Sequence, residues 1–201
     1  MAAGATVNWS PQVTVIQDGL PAVGVDVNWI ASGAMTVSVS ASAADTLGRS
    51  EAAALAGPLT GGAQALAKAC AWISVCSTFT VIGVDPSEWQ LGLVSGAGQT
   101  VGLSSQFKPV VLVVTNQQGD PVASAAITVH QTVNAAEMSC PDRGRCPLAP
   151  VLGTWDSAAT SDLNGLITIT PMQMAGIPEV TNIAIAAGTQ GFTSLSVVQG
   201  P

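Results

Sequence analysis

The feature that most constrains this chain is that its two halves repeat each other, with a β-type pattern in both. Val13 to Pro21 (Val-Thr-Val-Ile-Gln-Asp-Gly-Leu-Pro) resembles Val111 to Pro121 (Val-Leu-Val-Val-Thr-Asn-Gln-Gln-Gly-Asp-Pro). Immediately after, Pro21 to Val27 matches Pro121 to Ile127 position for position. Asp45-x-x-Gly48 corresponds to Asp162-x-x-Gly165, and Leu66-Ala67 and Phe79-Thr-Val81 line up with Ile183-Ala184 and Leu195-Ser-Val197. Several anchors in one order indicate a duplication. Stacked β modules serve as spacers or binding platforms far more often than as enzymes.

A length of 201 residues accommodates two domains of roughly 100 residues each. Only 8% of the residues are charged, and Ala, Val, Gly, Ser and Thr dominate. Small and β-branched side chains suit thin sandwiches of two packed sheets. So apolar a chain can bury enough surface to offset its ordering entropy, so it is not disordered. The net charge of −7, with five basic residues, leaves no basic stripe for phosphates and argues against nucleic acid. The most apolar stretch, Ala63 to Val84, alternates like strands and is broken by Lys68, which argues against membrane insertion. The N-terminus lacks the basic and apolar regions of a signal peptide, which fits a segment of a longer secreted protein.

Along the chain, Val13 to Gln17 alternates into the turn Asp18-Gly-Leu-Pro. Val23, Val25, Val27 and Trp29 are expected on one face of the next strand, followed by Met35 to Ser40 and then Glu51 to Leu55. A helix over Ser50 to Ala56 is the competing reading, since Ala and Leu favour it. The repeat argues against it, because the counterpart Leu166 to Thr170 reads as a strand. Ala65 to Ala71 and Val75 to Val84 read as a hairpin. In the second half, Trp89 to Val94 reads as a first strand, and Val101 to Phe107 as extended chain. The first half has no equivalent of Trp89 to Val94, so its initial strand is expected to be absent from the sequence given, with an open edge that would pair with a preceding domain or with another copy.

These anchors resemble the group 1 bacterial immunoglobulin-like domain, the module stacked in invasin- and intimin-like adhesins. The matching pattern is Asp18-Gly-Leu-Pro-Ala-Val-Gly-Val, Asp45-Thr-Leu-Gly and Gly57-Pro-Leu in the first half. In the second it is Gly119-Asp-Pro-Val, Ser161-Asp-Leu-Asn-Gly and Ile183-Ala-Ile-Ala, with Ser95-Gly-x-Gly-Gln and Phe107-x-Pro at the start. The resemblance covers nearly the whole chain. It implies an all-β protein of two tandem immunoglobulin-like β-sandwich domains, about 1–84 and 85–201, with surface exposure and an adhesive or spacer role. The second half carries an insertion at about 130–161 without a counterpart: 32 residues separate Val129 from Asp162, against 15 between Trp29 and Asp45.

The four cysteines fall as two equal spacings, Cys70 to Cys76 and Cys140 to Cys146. Local pairing among turn residues favours two disulfides and an oxidising, extracellular or outer-surface location. Zinc would need C-x-x-C spacing or nearby His, and the one His is His130. The Cys140–Cys146 ring presents Arg143 and Arg145, which suit a carboxylate, a sulfate or an acidic glycan through bidentate hydrogen bonds. Trp72, at the tip of the other ring, is the second candidate ligand contact; its plain alternative is packing onto its own sheet. Trp29 is expected in the core, Trp89 at the junction, Trp9 near the first unit's start, and Trp155 tethering the insertion.

His130 points off the apolar face, and nothing marks a nucleophile elbow, so no catalysis is expected. The aspartates sit in Gly- or Pro-containing turns; calcium at Asp85 and Glu88 is the alternative, and no metal or cofactor is expected. The expected function is a non-catalytic stalk or adhesion module. Its partners would be neighbouring domains of the same kind and a host protein or acidic glycan. Two alternatives are a filament subunit assembled by strand addition and a carbohydrate-binding module of a secreted enzyme.

Overall fold

The computed structural model describes residues 1–72, 74–136, 150–174, 176–188 and 191–200, the side chains of 191–193 excepted. Among these, every regular element is a β-strand apart from a 3-10 turn at Pro86–Glu88. The chain divides into two compact units, Met1–Asp85 and Pro86–Pro201.

The first unit contains β1 (Val7–Trp9), β2 (Gln12–Thr14), β3 (Ile16–Gln17), β4 (Leu20–Pro21), β5 (Asp26–Ser32), β6 (Met35–Val37), β7 (Ala41–Ala43), β8 (Arg49–Glu51), β9 (Ala54–Ala56), β10 (Gln64–Ala71) and β11 (Val75–Ile82). One layer runs β11-β10-β5-β7; the other is made of β2-β8 and β1-β9-β6, with β3 and β4 forming a small hairpin. Asp18 and Gly19 close that hairpin with φ of 51° and 79°, the two successive left-handed residues of a type I′ turn. Val15, Ala52, Val27, Trp29, Ala69 and Ala71 form the core between the layers. Val27 and Trp29 are buried as expected from the alternation. Val23 is not on their face: it lies in a turn and is exposed, because Gly24 takes a φ of 75° and turns the chain before β5 begins. Residues 50 to 56 are extended in β8 and β9, not helical.

The second unit contains β12 (Gln90–Ser95), β13 (Thr100–Gly102), β14 (Val110–Thr115), β15 (Ala126–Ala135), β16 (Val151–Thr160), β17 (Leu166–Ile169), β18 (Glu179–Ala187) and β19 (Gly191–Gly200). Its sheets run β12-β14-β17 and β13-β19-β18-β15-β16, with β13 parallel to β19 and the other pairings antiparallel. This is an immunoglobulin-like sandwich, in which β12, β14 and β17 face the sheet built on β15, β18 and β19. Leu112, Val114, Ile127, Ile183, Ile185 and Val197 are fully or almost fully buried between them. The extended segment expected over Val101 to Phe107 is a strand only to Gly102. Of the insertion, residues 130–135 and 151–160 lengthen the β15–β16 hairpin, so Trp155 sits in a strand opposite Gln131.

The same backbone hydrogen bonds recur inside each unit. Val15 N–H donates to Gly48 O and Ala22 N–H to Val15 O; Val114 and Val122 do the same with Gly165 and Val114. Asp45 Oδ1 accepts from the amides of Leu47 and Arg49, and Asp162 Oδ1 from those of Asn164 and Leu166. Gly24 and Ser124, at matching places, both have positive φ.

One sequence alignment slips. Ala69 pairs with Trp29 while Ile185 pairs with Val129, so Ala67 rather than Leu66 is the counterpart of Ile183. A one-residue slip would put the side chains on opposite faces of the sheet. Phe79 and Leu195, opposite Ala67 and Ile183, do correspond.

Candidate functional site

Two places in the described residues gather side chains with binding or chemical potential. The first is at the tip of the β10–β11 hairpin. Cys70 lies directly opposite Cys76, and the two form a disulfide. Only three residues then connect Ala71 to its partner Val75, and Trp72 takes a φ of 53° to make the bend. The indole lines a groove of about 230 Å³ together with Val13 to Ile16, Ala69, Ala71, Val75 and Ser77. Trp72 keeps 45% of its surface, so it is neither a core residue nor a free projection. It forms one wall of an apolar channel along the edge of β2–β3.

The second place is the outward face of the β15–β16 hairpin. Asp156 pairs with His130 across the strands, so their side chains share a face. His130 Nδ1 lies 2.6 Å from Asp156 Oδ1, and Thr132 Oγ1 lies 3.2 Å from His130 Nε2. Asp156 lies 26 residues from His130 along the chain, and the hairpin register brings the two together. The series hydroxyl, imidazole, carboxylate has the order of a nucleophilic relay. The rest of such a site is not supplied by the strand that carries it. β15 is paired with β16 on one side and β18 on the other, so its backbone N–H groups are used in the ladders and cannot hold an oxyanion. The His130 and Asp156 side chains are 50% and 84% exposed. At that exposure the pair is a surface contact of small energetic weight.

Asp45 and Asp162 act on the backbone of their turns. The Arg49 amide, the leading cause, with the Leu47 amide and the Arg49 guanidinium, holds the Asp45 carboxyl below its ordinary value. Among the described residues, no three His, Cys, Asp or Glu side chains cluster as a metal would require. Arg143, Arg145, Cys140 and Cys146 lie outside the described residues. A buried polar pair in the second unit has no signal in the sequence. Glu179 and Gln199 face each other across β18–β19, both fully buried. Glu179 Oε1 accepts from the Met174 amide and Gln199 Nε2 donates to Leu103 O. Glu179 Oε2 and Gln199 Oε1 have no partner among the described residues. Burial pushes the Glu179 carboxyl above its ordinary value, against the opposing Met174 amide.

The fold thus defines an all-β protein of immunoglobulin-like sandwich architecture. Among solved structures, the chain is similar to the D0–D1 domains of intimin, at 17% identity over 100% of this chain and 93% of that one, with a TM-score of 0.37. It is similar also to the Yersinia pseudotuberculosis adhesin InvE, at 17% identity over 100% of this chain and 56% of that one, with a TM-score of 0.42. A third similar structure is trypsin-activated alpha-2-macroglobulin from Escherichia coli, at 11% identity over 98% of this chain and 15% of that one, with a TM-score of 0.40. At such values the fold assignment rests on the strand order and registers above. No protein-family model and no curated protein matches the chain.

Proposed function

We propose that this chain is a structural and adhesive segment of a bacterial cell-surface or secreted protein, with no chemistry of its own. The observation that carries the reading is the recurrence of one sandwich corner in both units, hydrogen bond for hydrogen bond. A duplicated frame of this kind multiplies length and surface, whereas an enzyme concentrates its polar groups in one cavity. The Cys70–Cys76 disulfide supports an oxidising location. Ligand contact is assigned to Arg143 and Arg145 in the second unit, with Trp72 as the next contact.

The test is binding of the intact chain to host-type cells and to a glycan array, beside an Arg143→Ala, Arg145→Ala variant. Saturable binding lost in the variant supports adhesion through those arginines. Binding that survives moves the contact to Trp72. No binding by either protein leaves the spacer role alone and overturns the adhesive one.

A further inference from the structure

The inward face of the larger sheet in the second unit carries four buried polar side chains: Gln131 on β15, Glu179 and Thr181 on β18, and Gln199 on β19. They hold the backbone of the segments that cross this end of the sandwich. Gln131 donates from Nε2 to Thr170 O and accepts the Met172 amide at Oε1, and Thr181 Oγ1 donates to Met172 O. Glu179 Oε1 accepts the Met174 amide at 2.8 Å, and Gln199 Nε2 donates to Leu103 O at 2.8 Å. Leu103 lies in the turn after β13, which the Ser105 amide closes on Gly102 O, and Gln173 Nε2 donates to Ser105 O. Two side-chain amides, Gln199 and Gln173, thus fasten that turn.

Glu179 Oε2 and Gln199 Oε1 are the two oxygens left over among the described residues. Glu179 and Gln199 stand directly opposite in the antiparallel β18–β19 ladder, so their side chains are neighbours on one face. The bond to Leu103 fixes which end of the amide is which, because a reversed amide would set Oε1 against a carbonyl oxygen. Both leftover atoms are therefore acceptors, and both side chains are 0% exposed, out of reach of solvent. Each unpaired buried acceptor is destabilising, and a single proton on Glu179 Oε2 satisfies both. A hydrogen-bond chain then runs from the Met174 amide through Glu179 and Gln199 to Leu103 O. The other groups that the surrounding elements bring to this layer carry no charge: Val133 and Ala135 of β15, Val197 of β19, and Leu103, Met172 and Met174 of the crossing segments. Burial raises the Glu179 carboxyl above its ordinary value against the opposing Met174 amide, with no charged group among the causes.

We propose that the Glu179 proton is a switch that decides which acceptor holds the Gln199 amide. With the proton in place, Glu179 Oε2 donates to Gln199 Oε1, and Gln199 Nε2 stays on Leu103 O. As pH rises the proton passes to solvent, and the carboxylate can only accept. The Gln199 amide then turns over to donate Nε2–H to Glu179, and Leu103 O is released. The Met174 amide stays bound, because a carboxylate accepts it more strongly than a neutral acid does. Gln173 alone is left to fasten the turn after β13. The switch is independent of the adhesive role and of the arginine contacts proposed above.

The test is an NMR pH titration of the intact, isotopically labelled chain. It follows the Glu179 carboxyl carbon, the Gln199 side-chain amide and the Ser104 backbone nitrogen, which shares a peptide group with Leu103 O. One common midpoint above the ordinary glutamate value is expected. On its high-pH side the Ser105 amide should exchange about tenfold faster, after correction for the intrinsic pH dependence of exchange. Glu179→Gln places an N–H donor toward Gln199 Oε1 at every pH, so it should hold the Gln199 and Ser104 signals at their low-pH positions throughout. A Glu179 midpoint at or below the ordinary value overturns the proposal. Gln199 signals that stay fixed while Glu179 titrates overturn it too, as does a Gln199 shift that persists in Glu179→Gln. The titration of the unaltered protein decides the matter by itself if Glu179→Gln folds poorly.

Discussion

In the first unit the space between the sheets is filled by one large ring, Trp29, among small neighbours: Ala22, Ala69 and Ala71. At the matching positions the second unit has Val129, with Val122, Ile185 and Ala187, all buried. The trade is reciprocal, since a Trp opposite Ala in one ladder becomes a Val opposite Ile in the other. The first unit adds a stack of Trp29 on Phe79, with ring centroids 6.2 Å apart, and a hydrogen bond from the indole N–H to Ser42 Oγ. What the two units share is the frame of turns and registers. Filled volume is preserved by compensation between neighbours, as close packing requires.

Trp29→Ala should be the most damaging single change. It leaves a cavity lined by alanines that cannot collapse, at a cost of about 3–5 kcal/mol. Calorimetry should show the first unit's transition move far down while the second unit's stays. A matching loss in the second unit would break the picture of separate cores. Next comes the disulfide. Cys70→Ser with Cys76→Ser should cost the first unit about 2 kcal/mol, because the ring is small and little loop entropy is at stake. Denaturant melts of oxidised and double-Ser protein check this. The reciprocal packing is tested directly by Trp29→Val, Ala69→Ile and the pair. Ala69→Ile alone overpacks the core, and the double variant should lose about 1 kcal/mol less than the two singles added. Strict additivity would mean that the Trp29/Ala69 and Val129/Ile185 pairs do not compensate.

The smallest expected effect is a pH dependence confined to the second unit. Glu179 titrates above its ordinary value in the folded state. Below that ordinary value both the folded and the unfolded chain hold the proton, and stability is complete. As pH rises through it toward the raised folded value, the unfolded chain loses its proton first, so stability falls. Glu179→Gln should flatten this slope in melts taken between about pH 4 and pH 8. A slope that persists in the variant would assign the titration to another group.

The contrast also explains which features could be seen in the sequence. Asp45 and Asp162 were legible because an Asp that caps amides two and four residues later is a local device. Val27 and Trp29 were legible by alternation. The register of β10 was not: in Ala65-Leu-Ala-Lys-Ala-Cys-Ala71, alanines on the buried face alternate with larger residues, and neither face has a strong apolar contrast. His130 and Asp156 are 26 residues apart, and only the finished hairpin register brings them together. The same holds for Glu179 and Gln199, whose pairing depends on the far end of the β18–β19 ladder. The groove beside Trp72 has no local signal, because Val13 and Val15 meet Ala69, Trp72 and Val75 only in the finished fold.

The ten-residue β15 and β16 strands carry a further consequence. At about 3.4 Å per residue, such a ladder is roughly 34 Å long. One of its ends is fixed by the Asp162 corner, and the other delivers the chain to residues 137–149. Sequence inserted at that distance can change in length or chemistry without touching the corner that organises the sandwich. The length of the hairpin therefore separates Ala136 and Pro150 from the corner that sets the register of the sandwich.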